Sequence, residues 1–145
     1  MRRVLAAVLI LLPSALAAQQ PQYLTPYGPP TRPFSPAVRV GNVIYLAGQI
    51  GTSASAGGTV VAGGIEAETK QTMNNIKEVL EKVGSDMDHV VKCTVFMADM
   101  KEWDAMNGVY RLYFKDGHLP ARSAFGATGL ALNARVEIEC LATAK

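Results

Sequence analysis

Residues 90–97, Val-Val-Lys-Cys-Thr-Val-Phe-Met, constrain the fold most, because they alternate between two longer stretches with a different period. Val91, Cys93, Val95 and Met97 fall on one side of an extended chain. Lys92, Thr94 and Phe96 fall on the other, the pattern of a strand with one face buried against helices. Ahead of it, residues 65–83 place Met73, Ile76, Leu80 and Val83 at spacings of three and four, a helical stripe. Lys70, Lys77, Glu78 and Glu81 lie off that stripe as a solvated face, and Gly84 stops the helix. Behind the strand, Asp99-Met100-Lys101-Glu102 has the form of a capping box. It opens a second helix over residues 102–114, striped by Trp103, Met106, Tyr110 and Tyr113, a pattern more typical of core than of a cofactor site.

The remaining signals complete the layer. Residues 37–40 and 43–46 are β-rich runs joined by Gly41-Asn42, a hairpin signal. Residues 51–64 form a Gly, Ser, Thr and Ala loop with a short extended piece at residues 59–62, and its glycines lack the Lys-Ser/Thr of a phosphate loop. Strands are predicted over residues 123–127 and 135–142, linked by residues 129–134. The order strand, strand, helix, strand, helix, strand, strand describes an α+β domain with both helices on one sheet face. The other face then needs a partner, and Val43, Tyr45, Phe96 and Phe125 are its apolar candidates.

The first 18 residues stand apart. Arg2 and Arg3 precede an apolar run, Val4 to Leu12, that is too short for an ordinary membrane span. Pro13-Ser14 breaks it, and Ala15-Leu16-Ala17 is a small-residue cleavage pattern. Residues 1–17 are therefore expected to be a secretory signal peptide, with an uncleaved anchor as the alternative, and the mature protein to be exported to the periplasm or secreted. Residues 18–36, rich in Pro, Gln, Thr and Tyr, are expected to run as an extended surface leader with little helix or strand of its own. Residues 37–145 form one domain, long enough for a real core. The whole chain has 14 Lys+Arg against 12 Asp+Glu; without Arg2 and Arg3 the balance is 12 to 12. No basic cluster stands out, so nothing supports nucleic-acid binding.

Few residues carry chemistry. His89 and His118 have no metal-ligand spacing, and no nucleophilic triad is legible. Leu119-Pro120-Ala121-Arg122-Ser123-Ala124-Phe125 leads from the second helix into a strand, with Pro120 marking the boundary. Arg122 enters an apolar context there. Its planar fork could clamp a carboxylate, or simply pair with a Glu of a neighbouring strand or subunit. In the last strand Glu137 and Glu139 share one face and Ile138, Cys140 and Ala142 the other. Two acids on one face read first as solvated surface. Cys93 and Cys140 both point inward. An even count in an oxidising compartment permits one disulfide, and the reading adopted is two buried thiols acting as small hydrophobes.

Four ordered stretches carry a resemblance: Val40-Gly41-Asn42-Val43-Ile44-Tyr45-Leu46-Ala47-Gly48-Gln49-Ile50, then residues 91–100, the Leu119–Phe125 stretch, and Val136-Glu137-Ile138-Glu139-Cys140-Leu141-Ala142. From about Phe34 to the C-terminus the chain resembles the RidA/YjgF family of reactive imine deaminases. The resemblance implies a chorismate-mutase-like fold, a homotrimer with three pockets between subunits, and hydrolysis of 2-imino acids (2-iminobutanoate, 2-iminopropanoate) to 2-oxo acids and ammonia without a metal or organic cofactor. Arg122 matches the family's carboxylate-binding Arg and Glu137 its water-orienting Glu. Phe34, Ala47, Gly48, Asn107 and Ala124 match positions around the substrate, with backbone groups near Gly48 facing the imine end. Two matches depart from the pattern: Phe34 lacks the usual tyrosine hydroxyl, and Ala124 stands where many members hold a Cys. The alternative is a non-enzymatic trimer of the same fold that binds small carboxylates or acts as a chaperone-like partner.

Overall fold

The computed structural model describes residues 19–29 and 31–145. The expected signal peptide lies outside them. Seven strands build one sheet: β1 (Gln22–Leu24), β2 (Ala37–Val40), β3 (Val43–Leu46), β4 (Gln49–Ile50), β5 (Val90–Met97), β6 (Ala121–Gly126) and β7 (Val136–Thr143). Their order is β1-β2-β3-β7-β5-β6, with β4 also paired to β7. All pairings are antiparallel except β5 with β6, the pair that the second helix connects. Two helices, α1 (Gly64–Lys82) and α2 (Trp103–Tyr110), complete the α+β architecture.

Each predicted element is present, and the differences have local causes. The leader is not wholly irregular: β1 pairs its Tyr23 with Val38, satisfying the otherwise open backbone edge of β2. Gly41, at φ 59°, makes the tight β2–β3 turn that a side chain would strain. The chain continues past Gly48 as β4, because Gln49 and Ile50 find partners on β7 at Ile138 and Glu137. A register shift between Val90 and Lys92 turns Val91 out, 49% exposed, so Val90 takes the inward place that alternation assigns to Val91.

α1 buries a wider face than its apolar stripe. Ile65, Met73, Ile76, Val79 and Leu80 are joined inside by Glu68, Thr69 and Thr72, while Val83 stays half-buried. Gly84 follows the helix at φ 83°, and the Ser85 N–H donates back to the Leu80 carbonyl, closing the C-terminus. The second helical segment has only eight α-helical residues, flanked by 3-10 turns at Met100–Glu102 and Arg111–Tyr113. Its capping box is half made. Asp99 accepts from the Lys101 N–H at 2.9 Å, but Glu102 does not reach back; its Oε1 meets Arg135 Nη1 at 2.5 Å. Arg135 in turn gives its backbone N–H to buried Glu68 Oε2 at 2.7 Å. One arginine so ties α1, the start of α2 and the start of β7 together.

The core lies between the sheet and the helices: Ile44, Met73, Ile76, Leu80, Val95, Met97, Met106, Val136 and Ile138 are all 0% exposed. Truncating such a side chain to Ala costs about 2–5 kcal/mol. Among the described residues, no helix or further strand covers the opposite sheet face. Tyr45 and Phe125 are 47% and 54% exposed there, with the Phe96 ring tilted against that of Phe125 at 6.2 Å between centres. Among the described residues no helix is long and apolar enough to cross a membrane.

Candidate active site

Register decides where the site residues go. On β6, Arg122 pairs with Cys93 of β5, and Cys93 pairs with Cys140 of β7. Paired residues share a face, so the three form one row on the helix side. Within that row the two cysteines are bonded as a disulfide, with Cα atoms 4.1 Å apart. The expectation of two buried thiols is thus corrected. Directly opposed positions on antiparallel strands bring both Cβ atoms to the same side at bonding reach, and alternation within each strand says nothing of which residues face each other.

Arg122 ends the row at the sheet edge. It is half-buried, and its guanidinium lies over α2: Nη1 donates to Asn107 Oδ1 at 2.7 Å, and Cζ sits 4.9 Å from the Trp103 ring centre and 4.8 Å from that of Tyr110. Among the described residues it has no carboxylate partner. Pairing with a Glu of a neighbouring strand, one form of the plain alternative for this residue, is therefore absent among the described residues. A guanidinium has five N–H donors, and only one makes a side-chain bond here. Ala124, two residues on, shares the face and packs half-buried against the core.

Glu137 goes the other way. It pairs with Phe96, so it stands on the open face together with exposed Glu139. Burial, with the charge of Glu139 as a lesser cause, pushes its carboxyl above the usual glutamate range. A side chain at position 48 would displace the Glu137 carboxylate from its present place, so Gly48 leaves that place open beside the β3–β4 backbone. The Ala47 N–H is already engaged with the Pro36 carbonyl at 3.0 Å.

Two groups result. One holds Arg122, Asn107 and Ala124; the other holds Glu137 and Gly48. Phe34 joins neither. It is 48% exposed and borders a cleft of about 480 Å³ beside Arg32, Gln49 and Asn75, whose walls include neither Arg122 nor Glu137. The residues that sequence reasoning left out are Trp103 and Tyr110, read as core alone. The usable signal was spacing: Trp103, Asn107 and Tyr110 stand four and three apart on α2, one helix face. No group of three or more His, Cys, Asp or Glu suited to a metal ion occurs among the described residues.

A family model described as Endoribonuclease L-PSP matches residues 26–144. The chain belongs to this family, the RidA/YjgF group. Among its relatives, the mouse protein named 2-iminobutanoate/2-iminopropanoate deaminase is 44% identical over 110 residues, covering 76% of this chain and 80% of its own. The human protein of the same name is 42% identical over 110 residues, covering 76% and 79%. The crystal structure of yeast Mmf1 superposes with a TM-score of 0.77 at 34% identity, over 87% of this chain and 100% of that one. RidA from an Antarctic Psychrobacter gives 0.72 at 28% identity, over 88% and 98%. This chain is a deaminase-like hydrolase of the RidA/YjgF fold.

Proposed function

We propose that the protein hydrolyses reactive 2-imino acids of the 2-iminobutanoate and 2-iminopropanoate class to 2-oxo acids and ammonia. The observation that carries this reading is the half-buried Arg122 guanidinium, which has no acid partner among the described residues and donors to spare. Such a group suits a substrate carboxylate bound bidentately. Glu137 supplies the second requirement. Its carboxylate takes a proton from water as the oxygen bonds to the imine carbon. The C=N electron pair moves to nitrogen, which takes that proton from Glu137, giving a neutral carbinolamine and restoring the carboxylate. Passing the hydroxyl proton through the same carboxylate to nitrogen breaks the C–N bond, and ammonia leaves as the C=O forms. An imine carbon is already electrophilic, so positioning and charge suffice and no cofactor takes part.

Arg122 and Glu137 lie on opposite faces of one sheet, so a site containing both requires two copies of the chain. The open face, with exposed Tyr45 and Phe125, is the surface another copy would cover, and a homotrimer accommodates this with a site at each interface. A buried Cys93–Cys140 bond fits maturation in an oxidising compartment and so supports export, with cleavage near residue 17. Equal numbers of acidic and basic residues beyond position 18 favour small carboxylates over RNA.

The test is turnover of 2-iminopropanoate, generated in place by an amino-acid oxidase and followed as pyruvate and ammonium release. We expect the purified mature protein to accelerate hydrolysis. Ala124, which offers no thiol in the Arg122 group, favours one other outcome: a trimer that binds 2-oxo acids without turning over imines. That result would replace the enzyme by a carboxylate-binding protein.

A further inference from the structure

Arg122 is a charged group at a half-buried place, and something must offset its lost hydration. An acid would do so, but an acid accepts in the guanidinium plane and would occupy the fork that a substrate carboxylate needs. The structure uses a different support. Trp103 and Tyr110 present their rings within 5 Å of Cζ, inside the range of cation–π attraction. Such rings stabilise the charge without accepting any of its N–H groups. Asn107, on the same helix face, takes one N–H at 2.7 Å and fixes rotation about the side-chain axis.

We propose that Trp103 and Tyr110 are positioning residues, a two-ring cradle that holds the Arg122 guanidinium charged, fixed and free at its donor edge for the substrate carboxylate. The inference rests on the reading of Arg122 as the carboxylate clamp. Three features of the surroundings agree. The rings and the amide come from one helix at spacings of four and three, so α2 places all three contacts as a rigid unit. Tyr110 is 6% exposed and tilts against Phe114 at 4.9 Å, so its ring cannot swing away. Among the described residues its hydroxyl has no hydrogen-bond partner, and burial pushes it up to about 12, so the phenol stays neutral and acts through its ring.

The experiment uses the full mature chain and two readouts: the affinity for 2-oxobutanoate, an unreactive carboxylate, by calorimetry, and KM and kcat for 2-iminobutanoate. Trp103→Leu is expected to raise both Kd and KM by about 5- to 30-fold, the loss of one partly desolvated cation–π contact, with a smaller change in kcat. Trp103→Phe keeps a ring and should recover most of that loss, as should Tyr110→Phe relative to Tyr110→Leu. In the Arg122→Ala background Trp103→Leu should add nothing to the weakened affinity, which a merely structural role would not produce. Trp103 is half-buried, so its variants serve if Tyr110→Leu fails to fold. A folded Trp103→Leu that binds 2-oxobutanoate as wild type does, while Arg122→Ala does not, overturns the cradle and leaves the clamp standing. A wild type that neither binds the oxo acid nor turns over the imine overturns both.

Discussion

Beneath α1 and α2 the sheet presents Ile44, Cys93, Val95, Met97, Val136, Ile138 and Cys140, none more than 2% exposed. On its other face stand Tyr45, Phe96 and Phe125 interspersed with Lys92, Thr94, Glu137 and Glu139, most of them open to solvent. The two faces come from the same strands, one residue out of phase, yet among the described residues one is closed and the other is not. The chemistry divides along the same line. Arg122 belongs to the closed side and reaches solvent only because β6 is the edge strand; Glu137 belongs to the open side. The difference teaches that, on the proposed reading, a single copy carries two half-sites that only a second copy could bring together.

The sharpest way to break that comparison is to separate the halves. Arg122→Ala should lose on the order of 1,000-fold in kcat/KM, since a positioning charge at the reacting centre is removed. Arg122→Lys keeps the charge without the fork and should lose about 100-fold. Glu137→Gln should lower kcat more than it weakens 2-oxobutanoate binding. If each site takes Arg122 from one copy and Glu137 from the next, unfolding and reassembling a mixture of Arg122→Ala and Glu137→Gln chains restores activity. Random mixing leaves about one site in four with both residues intact. Recovery to that order in the coupled imine assay confirms shared sites. No recovery, with mixed assemblies demonstrated by mass, would mean that both residues act within one copy.

A second prediction concerns the closed face alone. Cys93–Cys140 spans 47 residues of chain and joins the adjacent strands β5 and β7 beside Arg122. Replacing both by Ala should lower the unfolding free energy by about 2–4 kcal/mol, read from the denaturant midpoint and slope together, since the unfolded chain loses a constraint. Reductant should move the wild type toward the variant and leave the variant where it is. Identical midpoints for wild type and variant would show that the closed face does not depend on the staple.

The sequence made the faces legible and not their neighbours. Alternation in residues 90–97 and 136–142 placed Val95, Met97, Ile138 and Cys140 inward, because side-chain direction within a strand is a local property. Val91 escaped that logic through a register shift, which depends on the partner strand. The disulfide escaped for the same reason: that Cys93 faces Cys140 is a fact about pairing. Arg122 and Glu137 were recognisable singly, by residue type and family pattern, while their placement on opposite faces required knowing that β5 lies between β6 and β7. The Glu68–Arg135–Glu102 link was invisible, since it joins residues 67 and 33 positions apart. Trp103 and Tyr110 were legible as apolar and not as partners of a cation, because an aromatic stripe looks the same whether a leucine or a guanidinium lies over it.

The smallest expected effect sharpens the open face. Glu137 is raised above the usual glutamate value of 4.5 by burial first and by Glu139 second. Its folded form holds a proton more tightly than the unfolded chain does. The stability it contributes is therefore fully present at acid pH and is lost as pH rises through the raised value. Activity runs the opposite way, because the mechanism needs the carboxylate: kcat/KM should fall as pH drops through that same value, earlier than for an ordinary glutamate. Glu139→Gln removes the neighbouring charge and leaves the burial, so it should move the acid limb of kcat/KM to lower pH without returning it to 4.5. A second copy seated on this face would desolvate Glu137 further, which keeps the limb high and isolates the Glu139 contribution as the part that shifts. Matching pH profiles for wild type and the folded variant would mean that Glu139 does not act on the carboxylate that handles the water.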